Sequence, residues 1–147
     1  MSALVHEFVV DCPPEHAWAV WAERTSLWWP ATHSVSGAPE AVVIEPRPGG
    51  RIYERAPGGE EHDWGRVLAW EPPRRLVYSW HLRQDAADAT EVEIAFAASA
   101  GGTAVTITHR GWERLGSRGP GLRERNVRGW AGLLPHYVAA ANGNGAG

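Results

Sequence analysis

Residues 90–110 read TEVEIAFAASAGGTAVTITHR. The first part alternates strictly, so an extended chain puts Val92, Ile94 and Phe96 on one face and Glu91 and Glu93 on the other. The second part repeats the period: Val105 and Ile107 inside, Thr106 and Thr108 outside, and His109 on the inner side near the strand end. The Gly-Gly between them is a turn signal, so the stretch predicts two antiparallel strands with one dry and one wet face.

The same texture extends upstream. AVVIEP (41–46), RIYERA (51–56), EHDWGRVLAWEP (61–72) and RRLVYSWHL (74–82) read as four more strands, divided by two Pro-Gly-Gly turns and a Pro-Pro pair. Six strands in a row predict a meander. In the third of these the facing is ambiguous: Asp63, Gly65 and Val67 oppose Trp64, Arg66 and Leu68, and the charge of Arg66 argues for Trp64 outside. In RIYERA, Glu54 shares a face with Ile52, which carries a carboxylate inward if that face is the buried one.

LVHEFVV (4–10) reads as an opening strand with imperfect alternation. CPPEHAWAVWA (12–22) begins a helix with proline in its first turn, and a short helix, TSLWW (25–29), is capped by Thr25 or Ser26 and stopped by Pro30. A Gly- and Arg-rich loop at 111–121 leads into a helix from about Leu122 to Ala141, with Val127, Trp130, Leu134, Tyr137 and Ala141 on one stripe and a kink expected at Pro135. The chain predicts one domain over 1–142 and a disordered tail at 143–147.

Composition excludes several chemistries. All 14 basic side chains are arginine, so lysine-based Schiff-base and Walker-type sites are absent. With a net charge of −3 and interspersed signs, no nucleic-acid surface is expected. One cysteine, Cys12, rules out an intrachain disulfide and predicts a reducing, cytoplasmic setting; no run is long enough to cross a membrane. Seven scattered histidines without an HExxH or Cys/His pattern predict no metal, and no cofactor motif is present. Nine tryptophans make large apolar walls available.

The stretches CPPEHAWAVWAERTSLWWP, PGGRIYE, DWGRVLAWEPPRRLVYSW, TEVEIAF, GGTAVTITHRGWERLG and RGWAGLLPHY, in that order over nearly the whole chain, resemble the homologues of the C-terminal domain of the activator of the 90-kDa heat-shock protein ATPase, in the START/SRPBCC superfamily. The resemblance implies an α+β helix-grip fold: a curved antiparallel sheet wrapped around a long C-terminal helix, with two short helices after the first strand and a cavity between sheet and helix.

Within that frame the candidate ligand-binding residues are Trp28, Tyr53, Glu54, Trp64, Tyr78, Trp80, His109, Trp112, Trp130 and Leu134. The aromatic residues supply area and Glu54 and His109 polarity. Trp28, Trp29 and His33 lie on a segment suited to the cavity mouth. Three readings follow: a binder of a small aromatic or lipid-like molecule; a cyclase, dehydratase or hydrolase with Glu54 and His109 as acid and base; or an interaction domain for a heat-shock ATPase. A plain structural role is the alternative for each residue: Glu54 turned to the rim or paired with Arg51, Arg55 or Arg66, and His109 bonded to a backbone carbonyl. A homodimer is a candidate assembly.

Overall fold

The computed structural model describes residues 2–82 and 84–143; the tail expectation at 144–147 lies outside the described residues. Seven strands, β1 (Leu4–Val10), β2 (Ala41–Ile44), β3 (Arg51–Arg55), β4 (Glu61–Glu71), β5 (Arg75–Trp80), β6 (Thr90–Ser99) and β7 (Gly102–Arg110), form one antiparallel sheet in the order β1-β7-β6-β5-β4-β3-β2. The meander runs from β2 to β7, and β1 closes against β7. The sheet is curled into a half-barrel. Helices α1 (Pro14–Ala22) and α2 (Thr25–Trp28) carry the chain from one edge strand to the other, and α3 (Gly119–Asn142) packs against α1, α2 and β1. This is the helix-grip architecture.

The quoted hairpin forms as its period dictates. Val92 stands opposite His109, Ile94 opposite Ile107 and Phe96 opposite Val105, all buried. On the outer face Arg110 binds Glu91 and, at 2.9 Å, Glu93, which also takes Arg75 at 2.9 Å. Gly102 has φ +135°, and a Cβ there would meet the Val10 carbonyl at 2.0 Å, so only glycine lets β1 lie this close. β1 in fact alternates well. Leu4, His6, Phe8 and Val10 face in, and the irregularity seen in the sequence is a histidine at an inward position and valines, Val5 and Val9, at outward ones.

The facing of β4 overturns the inference drawn from Arg66. Trp64 is fully buried and Arg66 is exposed, because the ladder with β3 slips: Ile52 pairs with Gly65 and Tyr53 with Asp63, leaving Trp64 as an extra residue. A second shift between Val67 and Ala69 bulges out Leu68. Each bulge resets the inside-outside parity, so a strict two-residue period fails here. Gly65 sits at the bend, where a Cβ would fall 1.8 Å from the Ser79 carbonyl oxygen.

The short helix α2 is not capped as expected. Thr25 Oγ1 donates backward to the Trp21 carbonyl at 2.6 Å, and Ser26 bridges to Val42 of β2, accepting its N–H at 2.7 Å. The loop at 111–121 contains a 3-10 segment, Trp112–Arg118, entered through Gly111 at φ +98°, and α3 starts at Gly119 because Pro120 suits a first turn. The helix continues through Pro135, which is exposed. Tyr137 anchors it: its ring contacts Trp21 and Trp28, and its hydroxyl donates to the Ala17 carbonyl at 2.8 Å. No described helix is long and apolar enough to cross a membrane.

Candidate functional site

Glu54 is 0% exposed. Burial alone would push its carboxyl pKa up, but four donors outweigh it and hold the group below the usual carboxylate range. The Val35 N–H (2.5 Å) and the Trp64 indole N–H (2.9 Å) donate to Oε1; the Ser36 N–H (3.0 Å) and hydroxyl (2.6 Å) donate to Oε2. No arginine among the described residues reaches it. Arg51 binds Asp63 and Glu61, Arg55 lies 3.9 Å from Glu61, and Arg66 points to the Gly49 carbonyl. The carboxylate therefore pins the loop at residues 35–36 to β3 and fixes the ring plane of Trp64. That indole in turn contacts Trp29 at 4.9 Å and Trp80 at 5.7 Å.

His109 is also 0% exposed. Trp130 Nε1 donates to its Nδ1 at 3.0 Å, which leaves the ring proton on Nε2, where it is donated to Thr90 Oγ1 at 2.6 Å. Thr90 passes its own hydroxyl proton to the Trp80 carbonyl at 3.3 Å. Burial, with a smaller push from His6, lowers the imidazole pKa to about 3. His109 is thus a neutral, fixed tautomer whose two nitrogens are both engaged, and its own carbonyl accepts from the Trp112 indole at 3.0 Å.

Between β5, the 86–88 turn, the 112–118 segment and α3 lies a cavity of about 240 Å³. Its walls are mainly Trp29, Trp80, Trp112, Trp130, Leu115 and Leu133. Polar groups at its border are His33, His81, Gln84, Asp88, Thr90, Arg125 and Asn126. His33 bridges the segment after α2 to α3: its Nε2–H donates to the Gly129 carbonyl at 3.2 Å, and Trp29 Nε1 donates to the His33 carbonyl at 2.8 Å. His81 Nδ1 donates to the Gln84 carbonyl at 3.3 Å.

Of the candidates from sequence, Trp80, Trp112 and Trp130 border this cavity. Trp28, Tyr53, Glu54, Trp64, Tyr78, His109 and Leu134 do not; they lie in the surrounding core, and Glu54 and His109 share no hydrogen bond among the described residues. Both instead hold tryptophans: Glu54 braces Trp64, which backs Trp29 and Trp80, and His109 binds the wall residue Trp130 itself. In this structure the carboxylate oxygens of Glu54 and both ring nitrogens of His109 are hydrogen-bonded within the protein. The sequence reading missed a second stripe of α3, Leu122, Asn126, Gly129 and Leu133 at helical spacing, which faces the cavity. Its polar and small members hide it from a search for apolar periodicity.

Among the described residues no cluster of three or more potential ligands could hold a metal ion. The exposed large apolar side chains, Val5, Val9, Leu27, Val35 and Leu68, fall on β1, α2, a loop and β4.

A half-barrel gripping one long helix over an aromatic cavity defines the class as a helix-grip protein of the SRPBCC kind. Solved structures agree. A protein from Mesorhizobium loti is 22% identical, with 92% of this chain and 93% of that one covered and a TM-score of 0.64. The AHSA1-like protein from Aeromonas hydrophila is 22% identical over 97% and 94%, with a TM-score of 0.68. An anthrahydroquino-γ-pyrone synthase is 28% identical over 99% and 97%, with a TM-score of 0.63. No curated protein matches the chain in sequence. The model of the family "Activator of Hsp90 ATPase homolog 1-like protein" matches residues 11–136, and the chain belongs to that family.

Proposed function

We propose that this protein binds a small, flat, largely apolar ligand, aromatic in character, in the cavity between β5 and α3. The observation that carries the reading is the wall itself: four indoles and several leucines around about 240 Å³, with a few polar groups at the border. Such a mix is what small-molecule sites use, apolar area for affinity and sparse polar groups for orientation. The volume lies below the roughly 300–1,000 Å³ of drug-sized clefts, which favours a ligand of two or three rings. Tryptophan faces suit flat rings through offset or edge contacts.

The test is a thermal-shift and tryptophan-fluorescence screen of bicyclic and tricyclic aromatics against the full chain and against Leu122→Trp. That substitution fills the cavity from a partly exposed helix position without opening a void. Saturable binding in the parent that is lost in a folded Leu122→Trp supports the reading. Equal binding by both refutes it.

A catalytic version, with a cyclase-like step on a bound aromatic or polyketide-like compound, is favoured by the 28% identity to the anthrahydroquino-γ-pyrone synthase. In that version the groups that meet substrate are those at the cavity border, His81 among them, while Glu54 and His109 position the tryptophans.

A further inference from the structure

Resting on the ligand-binding reading just given, we infer that the cavity selects an aromatic oxyanion, a planar ring system bearing a carboxylate or an ionised acidic phenol, with Arg125 as its charge partner. The whole chain carries a net charge of −3, and the described lining of this cavity holds one acid, Asp88, and one arginine, Arg125. Asp88 is the acid that borders it, and Arg118 neutralises that acid at 2.7 Å. Arg125 is the arginine that borders it, and no acid pairs with Arg125 among the described residues. Arginines 47, 51, 55, 75 and 110 each lie against a carboxylate, whereas Arg24, Arg66, Arg74, Arg114, Arg123 and Arg128, like Arg125, pair with none among the described residues; what sets Arg125 apart is its place at the cavity border.

The neighbouring side chain strengthens the assignment. Asn126 uses one amide hydrogen on the Leu122 carbonyl, at 2.8 Å, and retains a second. Arg125 and Asn126 therefore present a planar guanidinium fork and a spare N–H from consecutive positions of α3, a donor set matched to a carboxylate or phenolate. At the same border stands His81, whose Nδ1 is held by the Gln84 carbonyl, so that its Nε2 is the nitrogen left to meet a ring hydroxyl on the same ligand. The indoles supply the faces between which the ring lies. The unpaired guanidinium of Arg125 attracts an anion, an effect that salt screens.

The experiment compares two ligands of one shape and different charge, 2-naphthoate and 2-naphthamide, by calorimetric titration of the full chain at pH 7. The expected result is at least fivefold to tenfold tighter binding of the acid, a preference that shrinks with added salt. Arg125 is exposed, so its gain stands at the low end for a charge-assisted hydrogen bond. Arg125→Gln, at an exposed position where the fold should be kept, removes the preference by weakening the acid more than the amide. An ionised nitronaphthol in place of the acid tells whether phenolates are accepted as well as carboxylates; either one showing the Arg125-dependent preference supports the inference. Equal affinity of acid and amide with no Arg125-dependent gain for the nitronaphtholate, or an Arg125→Gln effect of the same size on acid and amide, overturns the charge selection while the cavity reading stands. Failure of every one of these ligands to bind overturns the cavity reading and this inference with it.

Discussion

Trp130 donates its indole N–H to Nδ1 of His109 across 3.0 Å, tying the helix that closes the cavity to strand β7 of the sheet. One hydrogen bond thus fixes three things: the tautomer of a buried histidine, the ring plane of a wall tryptophan, and the seating of α3 on the sheet. The same logic recurs at Glu54 and Trp64. In both places a buried polar side chain braces an indole, and the consequences can be measured.

Stability should depend on pH through His109. Its folded pKa of about 3 lies below the ordinary 6.5, so between those values the unfolded chain takes a proton that the folded chain refuses. The contribution is complete above about pH 6.5 and is lost as pH falls toward 3. From pH 7 to 5 the loss is on the order of 2 kcal/mol. His6, also lowered by burial, adds in the same direction. Urea unfolding at both pH values should show the drop in the parent and a smaller one in His109→Gln; identical drops would contradict the assignment.

Glu54→Gln should destabilise the fold by about 2–3 kcal/mol, because an amide NH₂ would confront donors that now all point at an anion. Because the carboxyl pKa is held low, its contribution is present at neutral pH and is lost only as pH falls below about 4.5 through the folded value. Denaturant titration followed by tryptophan emission reads both the stability and the environment of Trp64. A variant as stable as the parent at pH 7 would count against the four-donor account.

Gly65→Ala tests the bulge. Its Cβ would sit 1.8 Å from the Ser79 carbonyl oxygen, so β4 and β5 must part locally, at a cost of about 1–3 kcal/mol or more. Stability within about 0.5 kcal/mol of the parent would mean that the two strands do not approach as described.

At Tyr137 two substitutions separate hydrogen bonding from packing. Tyr137→Phe removes the bond to Ala17 and should cost about 1 kcal/mol. Tyr137→Ala also removes the ring that contacts Trp21, Trp28 and Phe8, and should cost about 3–5 kcal/mol. Similar losses in both would contradict the division.

Much of the architecture was legible because the signals were local. Strict alternation in Glu91–Phe96, glycine-marked turns and an apolar stripe through Trp130, Leu134 and Tyr137 each depend on near neighbours, and the strands and helices formed there. Parity in β4 was not legible, since a bulge depends on which residue of the partner strand is opposed, a fact no single segment records. The sequence left open whether Glu54 faces inward, and it did not show the partners: Val35 and Ser36 come from a loop 18–19 residues away, and Trp64 from the far side of a bulge. For the cavity, sequence pointed to large aromatic residues. The structure assigns some of them, such as Trp64 and Tyr78, to solid core and uses Leu122, Asn126 and Gly129 as wall, because what leaves a hollow is the small or polar residue between large ones.

The central claim is that a flat ligand lies among the indoles beneath α3. Intermolecular proton–proton NOEs recorded on the chain with bound 2-naphthoate test it most directly. The account predicts contacts from the ligand ring protons to the indole protons of Trp80, Trp112 and Trp130; contacts confined to other residues, with none to these three rings, would contradict it.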